Sequence, residues 1–177
     1  VVMSFHPVKP ITTGEGGVAL TNNKSFANTM KLLRTHGIEK NLSRKIKDNI
    51  GDWYYEHREL GYNFRLSDIH ASLGISQLKK LKFFTAERNK LAKRYNKIFS
   101  KIKNIAPLTV KKYNISSYHL YVIRIISNKF NIRNKLIKFL KTKKIYLNVH
   151  YIPIQHHPYY KRFKLNKSLL KNSETYF

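Results

Sequence analysis

The run SFHPVKPITTGEGG, residues 4–17, restricts the fold more than any other stretch of this chain. Strand-type residues flank it, VVMSF at 1–5 and GVALT at 17–21. Pro7 and Pro10 bracket a single lysine, Lys9, and each fixes its own φ and restrains the residue before it. Gly14, Gly16 and Gly17 then permit a tight return. The pattern predicts two short strands joined by a stiff loop, with a lysine that does not sweep as a surface lysine does. In a dry pocket, desolvation would favour the neutral amine, which attacks an aldehyde to form a Schiff base. Ser4 and His6 precede Lys9 closely enough to line the same pocket, and a serine hydroxyl there donates to a phosphate. The same residues also suit a plain proline-rich turn with Lys9 in water, and spacing alone does not choose between the two.

Charge bears on partners. The 177 residues carry 35 basic and 9 acidic side chains, a formal net charge of +26. That balance suits a nucleic-acid binder. However, 26 of the basic residues are Lys and only 9 are Arg, beside 18 Ile and 16 Asn. Those three abundant types share AT-rich codons, and Arg, the residue suited to planar phosphate and base recognition, is scarce. KRFKLNKSLLKN at 161–172 is the stretch that best fits a basic nucleic-acid-binding module. With no cysteine, disulfides and thiolate metal sites are excluded, which suits a cytoplasmic protein. The longest apolar run, YVIRII, is far too short to span a bilayer. The chain opens on Val1 inside a strand-like run and stops at SETYF, so it reads as a piece of a longer protein or one half of a split one.

Further along, Asn23 is a cap for a helix over 24–35 that Gly37 stops. Residues 38–62 read as a long irregular loop whose aromatics, Trp53 to Tyr62, favour docking. Ser67 caps a helix with Ile69, Leu73 and Leu81 on one face and small Ala71, Ser72 and Gly74 on another. A second helix starts at Thr85, its Lys and Arg forming a solvated face. After Pro107, residues 118–126, 132–143 and 145–153 read as strand, helix and strand of a small domain. A metal site at His150, His156 and His157 lacks a nearby carboxylate in the sequence, so no metal is expected.

The loop, together with LRTHG (33–37), LGYNFRLSDIHASLGISQLKKL (60–81), YHLYVIRI (118–125), VHYIP (149–153) and PYY (158–160), resembles the DegT/DnrJ sugar aminotransferases. These are pyridoxal 5'-phosphate (PLP) enzymes of the aspartate-aminotransferase fold, fold type I. The blocks stand in family order and cover nearly all of the chain, and they are most similar to the subgroup acting on UDP-linked 4-keto-6-deoxy sugars. The resemblance implies an α/β fold. Residues 1–82 would be the C-terminal portion of the PLP-binding large domain, and 83–177 a connecting helix and an incomplete small α+β domain. It implies that Lys9 is the Schiff-base lysine and proton shuttle, that Ser4 binds the cofactor phosphate, and that Asn63 reaches the cofactor phosphate of a neighbouring subunit. His6 would lie beside cofactor and substrate, with His150 and Tyr151 facing the substrate cleft. The partners implied are a nucleotide-sugar substrate, an amino-acid donor such as glutamate, and a second copy in a homodimer, with no membrane and no nucleic acid.

Two departures matter. The family places a ring-stacking aromatic, and an aspartate that pairs with the pyridine nitrogen, ahead of the lysine segment. Asp48, Asp52 and Asp68 do not sit in that motif. The chain alone is therefore expected to be inactive, completed by a separate N-terminal half or left as a non-catalytic remnant. Lys144 also stands where the family usually has a glycine at the end of the small-domain helix. A left-handed backbone there would cost a non-glycine roughly 1 kcal/mol.

Overall fold

The structure, a computed structural model, describes residues 1–40, 44–127, 131–163 and 170–177. The centre of the basic stretch 161–172 thus lies outside the described residues, as does the start of the loop after Lys40. The chain divides into two compact units, Val1–Arg124 and Ile125–Phe177.

In the first unit, β1 (Val2–Ser4) pairs antiparallel with β2 (Gly17–Ala19), Val2 opposite Ala19 and Ser4 opposite Gly17. These are the two strands expected around the loop. Helix α1 (Lys24–Arg34) begins where Asn23 caps it, the side chain accepting from the Phe26 N–H at 3.1 Å. The helix ends at Gly37, whose φ is +69°, with its N–H donating to the Leu32 carbonyl.

Beyond Gly37 the chain is more ordered than its composition suggests. Strand β3 (Ile38–Glu39) pairs antiparallel with β4 (Glu56–His57), and α2 (Arg44–Ile50) lies between them. The antiparallel track continues past β4: the N–H groups of Tyr62 and Phe64 donate to the Leu33 and Arg34 carbonyls, and Thr35 bridges Asn63. Gly37 and Gly61 meet where the two segments cross. A Cβ on Gly37 would overlap the Glu59 carbonyl, and one on Gly61 would overlap the His36–Gly37 backbone. Trp53 and Tyr62, expected to dock, instead lie exposed. Backbone pairing, not burial of these rings, orders the segment.

Helix α3 (Asp68–Lys79) is capped by Ser67 as expected. Helix α4 (Leu81–Phe99) follows after Lys80 alone, four residues earlier than the Thr85 start expected from the sequence. Lys80 keeps αR backbone, so the chain continues as helix without a side-chain cap. Strand β5 (Ile105–Pro107) pairs with β6 (Ile123–Ile125), and the Leu108 N–H donates to the Val122 carbonyl.

The second unit holds α5 (Ile132–Thr142), a 3-10 turn over Ile154–His156, α6 (Pro158–Lys161) and α7 (Lys171–Tyr176). Residues 145–153, expected as a strand, pair with no strand among the described residues. A strand needs a neighbour for its ladder, and alternating apolar residues do not supply one. Helix α5 ends in paired bonds, Ile145 N–H to the Leu140 carbonyl and Lys144 N–H to the Lys141 carbonyl, both 3.0 Å. This is the Schellman arrangement. Lys144 occupies its left-handed position with φ +59°.

Ala92 and Thr13, each 2% exposed, mark the deepest packing. Elsewhere core-type side chains face solvent: Leu60 is 95% exposed and Ile69 on α3 80%. The accessible surface is 15627 Å². A folded monomer of 21.0 kDa exposes about 9,000 Å², and two separately folded units of these sizes about 11,000 Å². Among the described residues no helix is long and apolar enough to cross a membrane.

Two outcomes are expected in urea unfolding followed by far-UV circular dichroism. Lys144→Gly stabilises the second unit by about 1 kcal/mol, because glycine carries no Cβ penalty at this φ. Gly61→Ala destabilises the first unit by about 2–3 kcal/mol, because the crossing backbones must separate. A neutral Gly61→Ala would contradict the crossing.

Candidate active site

The Lys9 loop is held by its own backbone. The Phe5 N–H donates to the Gly16 carbonyl at 2.9 Å, and the Phe5 carbonyl accepts from the Thr13 N–H at 3.0 Å and the Thr12 hydroxyl at 2.9 Å. Lys9 closes a turn, its N–H donating to the His6 carbonyl at 2.9 Å, with Pro7 in the second position that proline favours. The Thr13 hydroxyl donates to the Glu15 carbonyl at 2.7 Å. The loop then rests on α3. A Cβ on Gly74 would come within 2.7 Å of the Thr13 methyl, and one on Gly14 within 3.5 Å of the His70 ring. The small α3 flank noted in the sequence is thus the seat of the lysine loop.

Lys9 is half-buried, unlike the surface lysine of the plain-turn reading. Its Nζ lies 3.4 Å from Nε2 of His119, a contact across 110 residues of sequence. Ser4 Oγ accepts weakly from the His6 N–H at 3.4 Å. The His6 ring is half-exposed, with Nε2 4.0 Å from the Glu15 carboxylate. Asn63 is exposed, on the track beside α1, and its Oδ1 accepts from Arg65 Nε at 2.7 Å. Asn63, Arg65, Leu66, Ser67 and Asp68 line a cavity of about 540 Å³ at the start of α3.

Nothing in the sequence marks His119 for the site: its block is expected as a strand over 118–126, but strand forms only at Ile123–Ile125 and His119 lies before it. Tyr118 before it has φ +42°, a backbone state that costs a bulky residue about 1–3 kcal/mol. Neighbours over-determine it. Arg88 Nη1 of α4 donates to the Tyr118 carbonyl at 3.1 Å, and the Tyr118 N–H donates to Ser116 Oγ at 3.1 Å. Asn89 Nδ2 donates to the Ser116 carbonyl at 2.8 Å, and the Tyr121 hydroxyl donates to Asn96 Oδ1 at 2.6 Å. Arg88 is therefore not part of a solvated face: α4 uses polar side chains to hold the segment that carries His119.

In the second unit the rings of His150 and Tyr151 lie 3.9 Å apart between centroids. They line a cavity of about 360 Å³ with Ile152, Pro153, Ser173 and Tyr176. His156 Nε2 lies 2.8 Å from the Glu174 carboxylate, a partner not foreseen from the sequence. Among the described residues no group of three or more His, Cys, Asp or Glu side chains could hold a metal.

The family model described as the DegT/DnrJ/EryC1/StrS aminotransferase family matches residues 1–177. The chain belongs to this aminotransferase family. Over 176 residues it is 38% identical to the UDP-4-amino-4,6-dideoxy-N-acetyl-beta-L-altrosamine transaminase of Campylobacter jejuni serotype O:23/36, covering 99% of this chain and 44% of that protein. Helicobacter pylori PseC, an aminotransferase involved in the biosynthesis of pseudoaminic acid, superposes with a TM-score of 0.82 at 36% identity. That match covers 93% of this chain and 42% of PseC. The PMP form of Spr1654 from Streptococcus pneumoniae gives a TM-score of 0.85 at 30% identity, covering 99% of this chain and 45% of that one. The chain thus spans less than half the length of these relatives. The α/β class expected from the sequence holds, and the fold is that of the C-terminal part of a PLP-dependent transferase.

In this DegT/DnrJ family chain Lys9 is a half-buried amine and the exposed Ser4 a hydroxyl, the donor types that the aldehyde and phosphate ends of pyridoxal phosphate take. The carboxylate near the loop, Glu15, lies beside the His6 ring.

Tyr121 provides a pH test of the α4 clamp. Burial, then the neighbouring Tyr118 and Tyr95 hydroxyls, push its phenol above the ordinary 10.0. The folded state therefore keeps this proton longer than the unfolded state. Stability is full below pH ~10 and falls as pH rises through the folded value. Alkaline denaturation should be shallower in Tyr121→Phe, and spectrophotometric titration of that variant should lose one late-ionising phenol. An unchanged late phase in both would remove Tyr121 from the clamp.

Proposed function

We propose that this chain supplies the lysine-bearing part of a pyridoxal-phosphate aminotransferase. The enzyme moves an amino group from an amino acid, glutamate in our reading, to a keto-sugar nucleotide that feeds surface-polysaccharide or glycan synthesis. The observation that carries the reading is Lys9: a half-buried amine on a proline-bracketed turn, in a chain of this family.

Pyridoxal phosphate, when bound, supplies the aldehyde that takes up the amino nitrogen and a ring that serves as electron sink. Lys9 Nζ would hold the cofactor through its aldehyde and would carry protons to and from the reacting carbons. The turn closed by the Lys9 N–H and the seat on Gly74 fix the backbone from which that amine projects. Ser4 Oγ would donate to the cofactor phosphate, and Asn63 would do so for the cofactor of a second copy. His6 flanks the reacting centre, and His150 and Tyr151 orient the sugar nucleotide. The net charge of +26 draws its diphosphate inward.

The excess exposed apolar surface supports a further part of this reading. The relatives' remaining length, more than half of each, is the natural cover for β1, β2 and α3. Without it the chain lacks the groups that stack on the ring and pair with its nitrogen, and it is inactive alone.

The purified chain mixed with pyridoxal phosphate and borohydride should label Lys9 no more than its surface lysines, as read by peptide mass spectrometry. Co-expressed with the N-terminal half of the Campylobacter relative, it should label selectively at Lys9. Lys9→Ala should then lower amino transfer by at least about a thousandfold. Selective labelling of the chain alone would overturn its incapacity, and no labelling in the reconstituted pair would overturn the enzyme reading.

A further inference from the structure

We propose that His119 is the positioning residue of Lys9, held in place by Arg88 and Asn89 of α4. This builds on the reading of Lys9 as the reactive amine. The contact between Nζ and Nε2, at 3.4 Å, accommodates either proton arrangement. As an ammonium, Lys9 donates to the imidazole lone pair; as a free amine, it accepts from Nε2–H. In both, the amine is tied in one direction.

The imidazole is itself fixed. Its Nδ1 edge is turned away from solvent. The backbone before it is left-handed at Tyr118, a conformation that persists where surrounding bonds over-determine it. Arg88 to the Tyr118 carbonyl and Asn89 to the Ser116 carbonyl are those bonds. A strained residue next to the contact, clamped by two side chains of one helix, is an arrangement that aims a ring. The prolines fix the Lys9 backbone, but four side-chain torsions beyond Cα remain free. His119 restricts the last of them.

The test needs no cofactor. The 177-residue chain is reductively methylated to low extent with formaldehyde and cyanoborohydride, and peptide mass spectrometry reads the ratio of modification at Lys9 to that at exposed Lys103. His119→Phe keeps a ring of similar size and removes the bond, so the ratio rises about three- to tenfold, the worth of one net hydrogen bond. His119→Gln, whose amide reaches the Nε2 position, returns the ratio toward the parent value. Arg88→Met gives an intermediate rise. A ratio unchanged in His119→Phe overturns the proposal, as does a rise that Gln does not reverse.

Should His119→Phe lose its helical circular dichroism, the reciprocal measurement decides. The ¹⁵N shift of the His119 ring must move in Lys9→Met, and a shift that stays put overturns the proposal. Methylation and borohydride labelling fail separately. A ratio that responds to His119 in a reconstituted pair that forms no cofactor adduct retires the aminotransferase reading and leaves this one; an adduct with an unresponsive ratio does the reverse.

Discussion

The contact between Thr13 and Gly74 decides where the lysine loop sits. No Cβ stands between the threonine methyl and the helix backbone, so the loop lies directly on α3. Thr13 is among the most deeply buried residues of the chain, and its hydroxyl is satisfied within the loop by the Glu15 carbonyl. The buried side chain thus adds apolar packing without leaving a polar atom unpartnered. From this seat the strand pair, the turn at Lys9 and the approach to His119 all take their positions. A larger residue at position 74 would lift the loop and with it the amine.

Much of this was legible in the residues. The strands beside the loop, the Asn23 and Ser67 caps and the Gly37 stop follow from local rules: side-chain oxygens near orphan N–H groups, and glycine where φ turns positive. Lys144 was legible in a different way. Family position marked it as a glycine site, and the left-handed backbone there bears this out. What local rules missed was long-range. His119 reaches Lys9 across 110 residues, and nothing in a strand-like octapeptide signals that its histidine meets an amine. Helical periodicity separates apolar from polar faces and so assigns Arg88 to solvent, but it does not show that a backbone carbonyl lies opposite. The expected strand at 145–153 failed for a related reason: alternation describes one chain, and pairing needs two.

The face of α4 turned to the segment 116–121 divides its labour. Ala92 and the neighbouring aromatics pack, while Arg88, Asn89 and Asn96 bind the segment 116–121 through hydrogen bonds. Polar bonds are directional and set an angle, which packing alone does less sharply. A segment that must hold a strained tyrosine and aim the next ring benefits from that directionality. The aromatic cluster of Tyr95, Phe99 and Tyr121 lies against the same segment, with Tyr95 and Tyr121 centroids 5.0 Å apart.

The meeting of Gly37 and Gly61 acts as a ratchet pawl for the antiparallel track that carries Asn63. Slip the track by one residue in either direction and Leu60 or Tyr62 arrives at a crossing with room for no side-chain carbon. The alignment of these segments is therefore quantised, and Asn63 inherits a position that thermal sliding cannot smear.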